Sequence, residues 1–259
     1  MDLSVKKSKV IVGTPENVTN RPGYDNQPNF HPDKPILYYT SANAEGITDL
    51  MEYNFKTKKS RQITNTAERE YSPTVTPDKK SLSCIIQRDN GAQDLGTYPI
   101  DGGEAIVLIN TLTVGYHAWI NPESLLLFVL GDTMMLQRYD LRSKQNTIIT
   151  KSIGRSLHKI PNTTSMSFVQ KISIGMNVLN RLNADGSIEP IVNLLNARED
   201  LTWAPDGKII MSDGRKLFFF QPGESTVWTE IEGPDMPAGT ITRLAVSIDG
   251  NKLAIVVSE

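Results

Sequence analysis

The sequence has 259 residues, with 27 Lys and Arg against 29 Asp and Glu and a formal net charge of −2. Such a balance argues against a nucleic-acid partner or an anionic membrane surface, because both are bound through basic faces. No apolar run approaches the roughly 18 residues of a membrane-spanning helix. We therefore predict neither a nucleic-acid partner nor a membrane span.

The N-terminal residues, MDLSVKKSKVIV (1–12), lack the apolar segment of a secretory signal peptide. A mature chain whose signal had been removed would look the same, so a periplasmic or cell-envelope location and a cytoplasmic location both stay open. The single cysteine, Cys84, lies in the strand-like segment SLSCIIQ. It excludes a disulfide within the chain, and we expect it to be a small buried residue.

A short sequence motif built on Pro-Asp recurs along the whole chain. Successive anchors are 45, 45, 39, 44 and 43 residues apart, a near-constant period that indicates a repeat architecture. The anchors are Pro32, Pro77, Pro122, Pro161 and Pro205, with Ile248 in the equivalent place of the last unit.

Within each period the pattern predicts four short strands. In the first unit, ILYYTS (36–41) is an apolar strand, DLMEYNF (49–55) alternates with period two, and RQIT (61–64) closes the unit. Pro and Asp supply the turn that follows the first strand. Four-stranded units of about 43 residues, repeated six times, predict an all-β fold, a six-bladed β-propeller with antiparallel blades.

We predict one propeller domain over residues 1–259. The expected blades are 24–64, 71–109, 116–150, 155–192, 199–231, and a sixth made from 241–259 plus 1–14.

The sixth blade is predicted to close the ring with two N-terminal and two C-terminal strands. MDLSVKKSKVIV aligns with YNFKTKKSRQIT (53–64) and shares its Lys-Lys-Ser turn. The third strand of this blade would be cut short at Met1, so we expect the native chain to carry residues before Met1.

The repeat resembles that of TolB-like β-propellers. WAPDGK (203–208) matches their Pro-Asp-Gly-Lys turn, and QRDNGAQDL (87–95) is similar to their loop between the second and third strands. The resemblance implies a non-catalytic protein-binding propeller of the bacterial periplasm. Similar propellers also occur in prolyl-oligopeptidase-type hydrolases and in lyases that cut pectic oligosaccharides.

Motifs that carry chemistry are absent from the sequence. It contains no Gly-x-Ser-x-Gly, His-Glu-x-x-His or phosphate-binding Gly-Lys-Ser/Thr pattern. Of three histidines, His117 and His158 are expected near the same end of the channel on neighbouring blades, whereas His31 falls at the far end of its strand. Two histidines lack a third ligand, so we predict no metal and no cofactor.

The stronger signal is the set of polar and aromatic residues where the first strands begin, together with one loop arginine. In a propeller these positions converge at one mouth of the channel, and Tyr and Arg are enriched at binding hot spots. The alternative is that such connections are polar because they meet water. The predicted binding rim consists of Tyr24, Asp25, Glu70, Tyr71, Arg88, Tyr116, His117, Arg155, His158, Asp200 and Arg243.

We therefore expect a monomeric, non-catalytic binding propeller for a protein or peptide partner, with a small polar ligand or an oligosaccharide as further candidates. The alternative function is a carbohydrate-active lyase or hydrolase. It would use Glu70, His117 and Asp200 at the channel mouth.

Overall fold

The structure is a computed structural model that describes residues 1–6 and 9–258. In this part of the chain it contains twenty-four β-strands and one short 3₁₀ helix, Leu195–Ala197. Contacts divide the chain into two compact units, one formed by Met1–Glu16 with Ser152–Glu259 and the other by Asn17–Lys151. No helix in the described residues is long and apolar enough to cross a membrane.

The unit of residues 17–151 contains three four-stranded blades. Each blade is an antiparallel meander, since strands adjacent in sequence are adjacent in the sheet. Blade 1 has β3 (Asp25–Phe30), β4 (Ile36–Ala42), β5 (Thr48–Asn54) and β6 (Lys59–Gln62). Blade 2 has β7 (Arg69–Val75), β8 (Ser81–Gln87), β9 (Gln93–Pro99) and β10 (Ile106–Ile109). Blade 3 has β11 (Val114–Asn121), β12 (Ser124–Val129), β13 (Met135–Asp140) and β14 (Gln145–Lys151).

The other unit contains two four-stranded blades and four terminal strands. Blade 4 has β15 (Ile153–Lys159), β16 (Met166–Ser173), β17 (Met176–Leu182) and β18 (Ile188–Asn193). Blade 5 has β19 (Leu201–Trp203), β20 (Ile209–Ser212), β21 (Leu217–Phe220) and β22 (Thr229–Glu230). The terminal strands are β1 (Leu3–Lys6), β2 (Lys9–Val12), β23 (Thr240–Val246) and β24 (Leu253–Ser258).

The number of blades corrects the sequence prediction, because the described residues form five four-stranded blades rather than six. The terminal strands form two separate two-stranded sheets, β1–β2 and β23–β24. Between these sheets the Leu3 amide donates to the Asn251 carbonyl at 2.8 Å, and the Leu253 amide donates to the Met1 carbonyl at 3.1 Å. Among the described residues this pairing extends over 1–3 against 251–253, so the predicted closure of the ring by one four-stranded blade is not confirmed. The predicted Lys-Lys-Ser turn includes residues 7 and 8, which lie outside the described residues.

Apolar side chains on both faces of the inner strands explain why blades stack. Every residue of β12 is buried, whereas every residue of β6, the outermost strand of blade 1, is exposed. One core cluster joins Tyr38 and Leu50 of blade 1 to Leu82 and Cys84 of blade 2, as expected for the free cysteine. An apolar face of a sheet must be covered by another element, and within each unit consecutive blades cover each other.

The Pro-Asp turns are structural, as the sequence indicates. The Asp78 carboxylate accepts a hydrogen bond from the Lys80 amide at 3.1 Å, and Lys79 adopts a positive φ of 62°. The fourth turn, which lacks Asp and Gly, differs in geometry. There Asn162 takes the positive φ of 59°, one residue earlier relative to the proline. Asn is one of the few residues that tolerate this conformation.

A tryptophan and a serine link consecutive blades twice. Trp119 on β11 donates to the Ser83 hydroxyl of blade 2 at 2.9 Å, and Trp203 on β19 donates to the Ser167 hydroxyl of blade 4 at 2.9 Å. Both tryptophans therefore lie between consecutive blades of the same unit. Trp203 is buried and Trp119 is half-buried, and each indole satisfies its only donor.

We expect Trp203 and Ser167 to be energetically coupled. In a double-mutant cycle with Trp203→Phe and Ser167→Ala, the coupling energy should be about 1 kcal/mol, the net worth of one buried hydrogen bond. Urea unfolding of the four proteins measures it. Additive effects would show that the bond does not stabilise the fold.

Candidate functional site

Three predicted rim residues meet in one ion cluster, which we call the Asp200 cluster: Arg155, Lys171, Glu199, Asp200 and Arg243. Asp200 receives both Nε and Nη2 of Arg155, at 3.2 and 2.9 Å. Its Oδ1 also accepts from Nη1 of Arg243 at 2.6 Å. The two arginines come from β15 and β23, and Asp200 directly precedes β19, so the carboxylate ties together the first strands of blade 4, blade 5 and the β23–β24 sheet.

Glu199 binds the other side of Arg155. Its Oε2 accepts from the Arg155 backbone amide at 3.1 Å, and the same oxygen lies 3.6 Å from Lys171 Nζ. Gly154 permits this approach, because a Cβ at that position would lie 2.3 Å from the Glu199 oxygen. Three cationic side chains therefore surround two carboxylates, and the cluster carries a formal charge of +1.

Replacement of Asp200 tests whether this cluster stabilises the fold. Asp200→Asn would leave two guanidinium groups close together without their shared carboxylate. We expect the free energy of unfolding to fall by about 2 kcal/mol, less than for a fully buried pair because the arginines keep some solvent contact. Chemical denaturation measures the effect. The exposed Asp235→Asn serves as the control and should change stability by less than about 0.5 kcal/mol.

In the unit of residues 17–151, the predicted rim residue Glu70 is fully buried. Its carboxylate accepts from Thr66 Oγ1 at 2.7 Å, Tyr98 Oη at 3.0 Å and Thr64 Oγ1 at 3.2 Å. The Thr64 hydroxyl also lies 3.2 Å from the carboxylate of buried Asp49. Burial raises the pKa of Glu70 and also that of Asp49. Glu70 is thus part of a buried polar network and has no open face for a ligand.

Stability should depend on pH through Glu70. Between the ordinary glutamate pKa of about 4.3 and the raised folded pKa, the folded chain binds more protons than the unfolded chain, so stability contributed by Glu70 is lost as pH rises through this window. Glu70→Gln removes this loss. The unfolding free energy of the variant, relative to that of the wild type, should therefore increase between pH 4 and pH 8.

Urea unfolding at several pH values measures this difference. The exposed Glu104→Gln is the matched control and should keep the wild-type slope. A Glu70→Gln variant that also keeps that slope would contradict the assignment of the raised pKa to Glu70.

The other predicted rim residues of this unit contact neighbouring side chains of the same unit. Tyr24 and Tyr71 form an edge-to-face pair with ring centroids 6.5 Å apart, and Tyr116 makes a similar contact with Phe128. Asp25 pairs with Arg21 at 3.0 Å. Arg88 binds Asp94 and Glu68 at 2.9 and 3.2 Å. Of these residues, Tyr24 presents the most exposed aromatic ring.

The three histidine rings are enclosed by other residues of the protein. His117 is buried with Nε2 2.7 Å from the Ser83 hydroxyl, and burial lowers its pKa to about 4. Burial likewise lowers the pKa of His158 to about 4. His31 Nδ1 accepts from the amides of Asp33 and Lys34, so this ring holds the Pro-Asp turn of blade 1. The described residues contain no group of three or more His, Cys, Asp or Glu that could hold a metal ion.

One functional candidate was not predicted from the sequence: the hairpin of residues 171–177, KISIGMN, formed by the end of β16, its turn and the start of β17. Its apolar residues Ile172, Ile174 and Met176 are all exposed. Lys171 at its base is both hydrogen-bonded to Ser152 through the backbone and close to Glu199. The sequence feature that could have indicated this hairpin is an apolar segment at the position where the other repeats have mostly polar turn residues.

No protein-family model matches the sequence, and no curated protein matches it. Solved structures do match. One from Agrobacterium tumefaciens that carries the name TolB has a TM-score of 0.70 at 15% identity and covers 92% of each chain. TolB from Acinetobacter baumannii has a TM-score of 0.67 at 15% identity, covering 88% of this chain and 62% of that one. An oligogalacturonate lyase in complex with manganese has a TM-score of 0.59 at 16% identity, covering 92% of this chain and 71% of that one.

These similarities define the class of fold, a TolB-like β-propeller. At such low identity they show the fold alone. Because a TolB and a lyase share it, the function must be argued from the residues of this chain.

Proposed function

We propose that this protein is a non-catalytic binding propeller that recognises a protein or peptide partner. The observation that carries the proposal is the exposed apolar hairpin of residues 171–177. Ile174 at its tip is fully exposed, and Ile172 and Met176 are 51% and 40% exposed. Exposed apolar groups that lie together, unlike single ones, are typical of interaction surfaces.

Comparison with the other blades supports this interpretation. The equivalent connections between second and third strands are residues 43–47, 88–92, 130–134 and 213–216, and none of them carries an exposed large apolar side chain. A blade therefore forms without an exposed large apolar side chain at this connection. The apolar side chains of blade 4 are not required by the architecture, which favours a role in binding.

The Asp200 cluster lies at the base of the same hairpin and supports a partner of complementary charge. Lys171 is half exposed and Arg155 is one-third exposed, and the cluster carries one more positive than negative group. A complementary partner surface would offer an apolar recess for Ile174 with a carboxylate close to it. In the partner complex the apolar contact would supply affinity and the charges would fix orientation.

The two carboxylates invoked for the alternative, enzymatic function have other bonding roles. Glu70 is buried against Thr64, Thr66 and Tyr98, and both oxygens of Asp200 bind arginine. A general acid or base must reach its substrate within hydrogen-bonding distance. These bonding patterns support binding over catalysis by Glu70 and Asp200.

We also propose that the protein acts as a monomer in the periplasm or cell envelope. The support for this location is the TolB-like fold, and the hairpin would then be available to envelope proteins.

Replacement of Ile174 tests the binding proposal. Cells expressing the wild-type protein with a photo-crosslinking residue at Ser173 should yield a defined crosslinked species. Ile174→Asp should reduce its yield at least about tenfold, because a buried hot-spot contact is worth more than about 1.4 kcal/mol. Quantitative immunoblotting of the crosslinked band measures it.

Ile248→Asp is the matched control. Ile248 is 64% exposed. It lies in the turn that follows β23, at the position equivalent to the proline of the Pro-Asp turns. This variant should retain the crosslinked species. Equal loss in both variants, or no loss in Ile174→Asp, would contradict recognition through the hairpin.

A further inference from the structure

Arg198, in the connection between blades 4 and 5, is a partly exposed arginine whose side chain forms no ion pair within the described residues. Its guanidinium lies against Gly214 of the β20–β21 turn. A Cβ at Gly214 would lie 3.0 Å from Arg198 Cζ and closer still to Nη2, and the glycine has a φ of 110°. The turn therefore places the guanidinium without neutralising its charge.

The hairpin of residues 171–177 holds the backbone on which Arg198 lies. Asn196 and Ala197 both have left-handed conformations, with φ of 48° and 54°. Such residues persist only where their surroundings hold them. The buried Asn177, at the end of the hairpin, donates from Nδ2 to the Ala197 carbonyl at 2.6 Å and to the Arg198 carbonyl at 3.3 Å. Arg198 and the hairpin are thus parts of one connected surface of this unit.

The repeat offers a second arginine for comparison. Arg69 of blade 2 occupies the equivalent position, since it and Arg198 each directly precede a glutamate at the start of the first strand of their blade. Arg69 lies 3.8 Å from the carboxylate of Asp89, in the connection between the second and third strands of the same blade. In blade 5 the corresponding connection places Gly214 against the arginine. The charge that blade 2 balances internally is therefore left open in blade 5.

Positive charge exceeds negative charge around the hairpin, although the whole chain carries −2. The Asp200 cluster contributes a formal +1. The neighbouring residues contribute another +1, from Arg198, Arg215 and Lys216 against Asp213 and Glu230. Lys216 pairs with Glu230 at 2.8 Å, and Asp213 accepts from the backbone amides of its own turn. This surface complements an acidic partner.

We propose that the partner recognised by the hairpin presents an acidic segment with an apolar residue, and that Arg198 binds one of its carboxylates. This inference rests on the function proposed above and adds the chemistry of the partner. The apolar residue would pack on Ile174, while the planar guanidinium of Arg198 would bind the carboxylate through two parallel hydrogen bonds. Because Gly214 already positions the guanidinium, little side-chain freedom is lost on binding.

Two matched peptides test the preference for acid. The acidic probe is acetyl-Glu-Leu-Glu-Leu-Glu-amide, and the neutral probe has Gln at each Glu position. NMR titration of the full chain follows the backbone amides of Ile174 and Gly214. The acidic probe should bind at least about tenfold more tightly, and its advantage should shrink as NaCl is raised, because exposed charges are screened.

Variants of Arg198 assign that preference. Arg198→Gln should reduce the ratio of the two affinities by about three- to tenfold, the effect of a charge-assisted hydrogen bond at a partly exposed site. Arg198→Lys should retain part of it, since the charge remains but the fork does not. Arg142→Gln, an exposed arginine of the other unit, is the control and should keep the wild-type ratio. Circular dichroism checks that each variant is folded.

Crosslinking from Ser173 separates this inference from the binding proposal. Arg198→Glu should reduce the yield of the crosslinked species at least about threefold. A species that is lost in Ile174→Asp but kept in Arg198→Glu would overturn the role of Arg198 and leave recognition through the hairpin standing. If wild type gives no crosslinked species, the binding proposal fails, and the peptide titration still decides whether Arg198 selects carboxylates.

Three results of the titration would overturn the inference. The two peptides would bind equally well, Arg198→Gln would keep the wild-type ratio, or neither peptide would shift the amides of Ile174 and Gly214. Vesicles containing phosphatidylglycerol provide the last comparison. If they bind the chain and displace the acidic peptide, the surface recognises an anionic membrane instead of an acidic protein segment.

Discussion

The structure depends on one constraint: a four-stranded sheet with two apolar faces cannot bury both of them alone. Within each unit, consecutive blades therefore cover each other's apolar faces, and the core clusters extend from one blade to the next. In the last of these clusters, Ile85 and Leu95 of blade 2 meet Leu125 and Leu127 of blade 3. Short, strongly paired blades also limit exposed strand edges, a recognised hazard of open sheets.

Polar contacts between blades add specificity to this apolar stacking. The Trp119–Ser83 and Trp203–Ser167 bonds repeat the same contact in two places, and Asp200 joins the first strands of blade 4, blade 5 and the β23–β24 sheet through two arginines. Such contacts fix one blade's position against the next, because an indole or a guanidinium satisfies its donors in only one arrangement. Several residues that looked like binding candidates have this architectural role.

The regularity of the repeat makes its exceptions informative. The connection between second and third strands carries no exposed large apolar side chain in the other four-stranded blades. Blade 4 departs from this pattern, with exposed Ile174 at its turn. Departures from a repeat that the fold does not require are natural places to look for function.

The sequence by itself determined the fold class, the strands of each unit, the structural role of the Pro-Asp turns and the burial of Cys84, because these follow from local periodicity and turn chemistry. It also placed Arg155, Asp200 and Arg243 at equivalent positions of the repeat. Only the tertiary structure decided that these three bind one another, that Glu70 is buried among hydroxyl groups, and that the terminal strands form two short sheets. Arg155 and Arg243 reach Asp200 from 45 and 43 positions away in the chain, so their pairing depends on packing that no local pattern records.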